Sequence, residues 1–184
     1  AQLPEADYVW LLGDSFSLVK GAIKEILQLI ETFKPEIMSV NTANRDLDEK
    51  SRLYEDCNEV LDKFGWHLTL TGATIYSRNV ISTIGEVKPE LFKNFPQLAL
   101  MFNYLSKNCS FYWNNNKLLI SAPKKGYWVS TMFSIFIDDW GNAIRNLPHC
   151  YKESIKEKVI IEPSGIKSPE KPFESLAFLV TRSD

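Results

Sequence analysis

Tyr8-Val9-Trp10-Leu11-Leu12 is an unbroken apolar run that stops at Gly13-Asp14. A strand with one wet face alternates polar and apolar side chains. An unbroken run instead predicts a strand covered on both faces, as in the middle of an α/β sheet. Beyond the Gly-Asp turn, Val19, Ala22, Ile23, Ile26, Ile30 and Phe33 recur at helical spacing, with Lys20, Lys24, Gln28 and Glu31 on the opposite side. Pro35 ends that helix, and Glu36 to Asn41 predicts a second short strand. Strand, polar turn, helix, strand is a βαβ unit, whose connection is expected to be right-handed.

The rest of the chain continues the mixed pattern. Residues 42–58 carry the densest charge, in Arg45-Asp46-Leu47-Asp48-Glu49-Lys50, and read as an exposed loop or weak helix. Glu59 to Phe64 predicts a helical turn stopped by Gly65. His67 to Tyr76 is strand-like with an interruption at Gly72, a sign of close backbone approach or a bulge. Leu98 to Leu105, after Pro96, predicts a helix. Phe111-Tyr112-Trp113 and Leu118-Leu119-Ile120 flank Asn114-Asn115-Asn116 and predict a hairpin. Tyr127 to Leu147 is helical, with Met132, Phe133, Phe136, Ile137, Trp140 and Ile144 as its apolar stripe. The tail to Arg182 alternates amphipathic helical stretches with Pro163, Pro169 and Pro172. No repeat or linker divides residues 1–184, so they read as one domain of α/β class.

Composition excludes several functions. The 21 Lys and Arg are balanced by 23 Asp and Glu, for a net charge of -2, and no basic stripe is present, so nucleic acid is not an expected partner. Cys57, Cys109 and Cys150 lack the short spacings of a zinc site or a disulfide framework and fit a reducing compartment. No apolar run approaches the ~18 residues of a spanning helix, and no signal peptide is visible. The expected location is therefore the cytoplasm.

Asp14 is the first candidate site residue. A lone Asp after a strand can simply cap a turn. A carboxylate at the carboxyl end of a buried strand, just before a helix, also sits where α/β sheets bind ligands. The stretch Tyr8 to Phe16, followed by Gly21-Ala22-Ile23, resembles the middle of the family 2 glycosyltransferases with a GT-A fold that build bacterial surface polysaccharides. In that family a strand of this type leads into an acidic D-x-D cluster, and a helix opening Gly-Ala-Ile or Gly-Ala-Leu follows. Thr71-Gly72-Ala73-Thr74-Ile75-Tyr76-Ser77-Arg78 resembles a later strand of the family, and the helix after Tyr127-Trp128 resembles its carboxyl-terminal region.

The resemblance implies a mostly parallel, Rossmann-like GT-A sheet with additional carboxyl-terminal helices. It implies transfer of a sugar from a nucleotide-sugar donor to a polysaccharide or lipid-linked acceptor, with inversion at the anomeric carbon. It also implies an acidic cluster holding Mg²⁺ or Mn²⁺ at the donor diphosphate, with Asp14 as its first ligand. Ser15 and Phe16 stand at the middle and last positions of that cluster, so one carboxylate and a hydroxyl replace two carboxylates. The family's first strands, which hold the nucleoside, precede this stretch; the sequence reads as the carboxyl-terminal two-thirds of such a unit.

By the same resemblance Gly13, Ser15, Thr71 and Gly72 line the substrate site. A general base of the second half, often in a Glu-Asp pair, takes the acceptor proton. Glu86 and Glu90 are the candidates by position. Asp138-Asp139 falls within the amphipathic helix and reads as a solvated face. Lys124-Lys125-Gly126-Tyr127-Trp128 is either a loop over a diphosphate, with Lys125 on phosphate and Trp128 on sugar, or a plain basic turn. His67 reads as a packed residue and His149 as a surface one. Lipid-linked acceptors imply peripheral association with the inner face of the cell membrane, although the flanks of the long helix are not basic. The competing function is a non-catalytic glycosyltransferase-like module that binds a glycan or a partner, since Phe16 removes a ligand.

Overall fold

The first apolar run becomes β1 (Tyr8–Trp10) in a computed structural model that describes residues 5–13, 15–43, 46–121 and 134–161. After the Gly-Asp turn the chain forms β2 (Phe16–Leu18) and then α1 (Ala22–Phe33). Gly21 precedes α1 at φ 90°, a left-handed backbone that a side chain would strain. α1 stops as the periodicity predicts, just before Pro35. β3 (Ile37–Thr42) follows and is buried along its whole length.

The charged stretch contains an unexpected short strand, β4 (Arg52–Tyr54), ahead of α2 (Cys57–Phe64), whose Asp56 cap accepts a hydrogen bond from the Asn58 amide at 2.8 Å. Two single 3₁₀ turns, His67–Thr69 and Thr71–Ala73, replace the first half of the expected long strand. Only its second half is extended, as β5 (Thr74–Ser77). α3 (Arg78–Ser82) and α4 (Pro96–Leu105) lead to β6 (Phe111–Ser121). A π-helical turn, Ser134–Asp139, runs into α5 (Trp140–Arg145), and α6 (Glu153–Ile161) closes the described chain.

The sheet order is β1-β5-β3-β6-β2, with β4 also on β6. It is partly parallel, which corrects the expectation of a mostly parallel sheet. β3 and β6 pair in parallel, whereas β1–β5, β3–β5, β2–β6 and β4–β6 are all antiparallel. The reason lies in β5. It inserts between β1 and β3 and runs against both, so the two strands of the βαβ unit point the same way without touching. β1 is also half-buried rather than central, because among the described residues it has a neighbour on one side only.

β6 is one strand and not a hairpin. Its Asn triplet is absorbed as an irregularity: Val40 pairs with Asn114, but the next residue, Asn41, pairs with Lys117. Side-chain hydrogen bonds hold the bulge. Asn114 and Asn116 both donate to Glu25 of α1, at 2.8 and 2.7 Å, and Asn115 accepts from Asn41 at 2.8 Å.

Strand alternation sorts the core into two layers. Ile37, Tyr76, Phe111 and Trp113 point to the face covered by α2, α4, α5 and α6. Met38, Val40, Ile75 and Tyr112 point to the other face, where α1 contributes Ala22 and Ile26. The first layer is aromatic: Phe64 stacks on Trp113 at 4.8 Å, and Trp66 meets Trp140 edge-on at 5.5 Å. Trp140 and Ile144 of the expected helical stripe are buried there, while Met132, Phe133 and the tail 162–184 lie outside the described residues.

Candidate active site at the carboxyl ends of the strands

β1, β3 and β6 all point one way, so their carboxyl ends share one edge of the sheet, together with the start of β5. The backbone after β1 turns back at this edge through a tight turn, closed by a hydrogen bond from the Phe16 amide to Gly13 O at 3.1 Å. The Trp10 indole donates across to Gly72 O at 2.8 Å. Phe16 then lays its ring on Gly72: a Cβ at Gly72 would fall 2.7 Å from the ring's Cδ2 and Cε2. The notion of close approach at Gly72 is thus right, and the partner is an aromatic ring.

The floor of this corner is tied to β3. Ser39 donates to Ala73 O at 3.0 Å, and the buried His67 ring places Nε2 3.0 Å from Val40 O, edge-on to Trp113. His67 is therefore packed, as expected, though in a 3₁₀ turn. His149 is exposed. Gln97, in the first turn of α4, donates to Thr69 O at 3.1 Å and so brings the start of α4 to the same edge.

Of the expected site residues, Gly13, Ser15, Thr71 and Gly72 come together here, with Gly13 and Thr71 exposed and Ser15 half-buried. Asp14, Lys125 and Trp128 lie outside the described residues. Glu86 is exposed and pairs with Lys107 at 2.8 Å. Lys107 follows α4 shortly before β6 begins, which sets Glu86 toward the opposite edge of the sheet. Glu90 is exposed in a 3₁₀ turn, Pro89–Leu91, on the stretch leading into α4.

Two features escaped the sequence reading. Asp139 is not solvated: it is 5% exposed, takes Asn94 Nδ2 at 2.7 Å and Lys93 Nζ at 2.9 Å. Only Asp138 faces water. The Asp139 carboxylate holds the exposed Lys93 ammonium above its ordinary value, first through their hydrogen bond. A buried Asp beside a Trp in an apolar stripe is the signal that could have exposed it.

Asn41 is the second feature. Buried at the end of β3, it donates to Asp46 Oδ1, Leu47 O and Asn115 Oδ1 at 2.8–3.0 Å and accepts from the Thr42 and Leu47 amides. Lys117, 2.6 Å from Asp46, is the main cause of a lowered Asp46 carboxyl pKa.

The described residues at this corner offer little to a divalent cation, and Asp14, the expected first ligand, lies outside them. Phe16 offers no donor and covers Gly72, Ser15 brings a neutral hydroxyl, and among the described residues no group of three His, Cys, Asp or Glu is placed to hold a metal ion.

The fold has known counterparts. The fold of S. aureus TarS (residues 1–349) in complex with UDP-GlcNAc matches with a TM-score of 0.55 over 85% of this chain and 47% of that one, at 11% identity. The complex with UDP matches with a TM-score of 0.53 over 85% and 46%, at 12% identity. TarS 1–349 itself matches with 0.51 over 98% and 49%, at 12% identity. The chain shares the fold of these structures. It spans about half the length of these structures. No protein-family model and no curated protein matches the sequence. No helix among the described residues is long and apolar enough to cross a membrane.

Proposed function

We propose that the chain belongs to a family 2 type glycosyltransferase that moves a sugar from a nucleotide-sugar donor to a polysaccharide or lipid-linked acceptor, with inversion. The likeness over 85% of the chain to a structure that holds UDP-GlcNAc carries this reading. The gathering of Gly13, Ser15, Thr71 and Gly72 at the carboxyl edge supports it, because ligands of α/β sheets bind there.

In this reading the exposed Gly13 and Thr71 let a diphosphate approach closely, and Asp14 orients the donor. Glu90 is preferred over Glu86 as the group that takes the acceptor proton, because Glu86 is paired with Lys107 away from this edge. Lys125 serves as the cation for the diphosphate and Trp128 as the stacking partner of the sugar. The reaction takes place in the cytoplasm, at the inner face of the membrane when the acceptor is lipid-linked.

One observation favours a second reading. The Phe16 ring fills the corner over Gly72 where the family carries a ligating acid, as a non-catalytic, glycan- or partner-binding module would tolerate.

Calorimetry with UDP and a turnover assay with UDP-sugars, on the protein as it occurs in the cell and on Asp14→Ala, separate the two. Transferase activity that falls at least ~10-fold in Asp14→Ala, a change of about 1.4 kcal/mol, is expected. Saturable binding without turnover would select the module. Unchanged turnover in Asp14→Ala would remove Asp14 from the site.

A further inference from the structure

The three cysteines are far apart in sequence yet converge on one place. Cys57 opens α2, Cys150 lies in the turn before α6, and Cys109 precedes β6. Tyr151 follows Cys150 in the chain, is buried, and donates its hydroxyl to Phe102 O at 2.8 Å. Asn58 binds the first two segments together. Its Nδ2 lies 3.1 Å from Cys150 O and 3.8 Å from Cys57 Sγ, and its Oδ1 accepts from the Lys152 amide at 2.8 Å. Cys150 also adds, after burial, to the raising of the Cys57 thiol, as a near neighbour does. Cys109 turns elsewhere, toward Tyr54 O at 3.8 Å.

We propose that Cys57 and Cys150 form a reversible disulfide site that staples the start of α2 to the turn before α6. Cys150 is exposed and Cys57 half-buried, which sets the order of events. A peroxide oxidises the Cys150 thiol to a sulfenic acid, with one oxygen transferred and water or an alcohol released. The Cys57 sulfur then attacks the Cys150 sulfur, the S–O bond breaks, and the hydroxyl leaves as water with the Cys57 proton. A small thiol such as glutathione reverses the bond by exchange. Burial pushes Cys57 up to about 11 and Cys109 up to about 12, so neither is the thiolate that meets oxidant first.

The test is mild hydrogen peroxide on the full chain, followed by peptide mapping under non-reducing conditions. The expected product joins the Cys57 and Cys150 peptides, returns to free thiols with dithiothreitol, and raises Tm by roughly 5 °C or more. Cys109→Ser should leave the link intact. Cys57→Ser should stop at a Cys150 sulfenic acid that a dimedone probe captures. A Cys57–Cys109 link, a disulfide-bonded dimer through Cys150, or sulfinic acid at Cys150 with Cys57 still a thiol would each overturn the proposal.

Discussion

At the scale of single residues, the contact of Phe16 with Gly72 is the most specific feature of the candidate site. A methyl group at Gly72 would collide with the ring, so Gly72→Ala should destabilise the protein by about 1–3 kcal/mol. Phe16→Ala makes room, and the double variant should recover much of that loss in a denaturation cycle; strictly additive effects would mean the two residues do not meet. Asp46 gives a pH-dependent counterpart. Its carboxyl is lowered in the folded state, chiefly by Lys117, so the stability it adds is present above the unfolded value of about 3.9 and disappears as pH falls through the folded one. The pair is half-exposed, so Lys117→Met should cost no more than about 1 kcal/mol at pH 7 by urea titration, and progressively less as pH falls below the unfolded value. A loss that does not change with pH would assign the effect to packing of the lysine stem.

At the scale of elements, α1 shows how far periodicity reaches. The spacing of Ala22, Ile23, Ile26, Ile30 and Phe33 gave the helix and its end, yet only Ala22 and Ile26 are buried. Ile23, Leu27 and Phe33 remain 50%, 54% and 41% exposed. Ile26→Ala should therefore cost about 2–4 kcal/mol, and Leu27→Ser should stay within about 0.5 kcal/mol, both read from denaturant midpoints. A large loss for Leu27→Ser would show that a further element covers this face. Boundaries were harder to read where the signal was short. β4 contributes three residues, only one of them fully buried, too few to display alternation within a charged stretch. The Asn triplet in β6 carries turn chemistry, but Asn41 and Glu25 supply the hydrogen bonds that keep it extended. Neither partner is near it in sequence.

At the scale of the whole molecule, the two core layers share the same strands, since Ile37 and Met38 are neighbours in β3 on opposite faces. Ile37→Ala and Met38→Ala should each lower one common transition, seen together by far-ultraviolet circular dichroism and tryptophan fluorescence. Two separate transitions would mean that the layers fold independently. Sequence by itself determined the α/β class, α1, β3, α4 and the glycine turn after β1, because each is written in local periodicity and in chain-breaking residues. It also marked Gly72 as a close approach, since an interrupted strand pattern is a local signal. Tertiary structure decided what depends on distant partners. It set the direction of β5 between β1 and β3, which made the sheet only partly parallel. It buried Asp139 beside Lys93 and Asn94, and brought Cys57 and the Cys150 segment together across Asn58. Pairing direction and side-chain company are fixed by how helices pack across the sheet, and residue spacing along the chain does not encode that geometry.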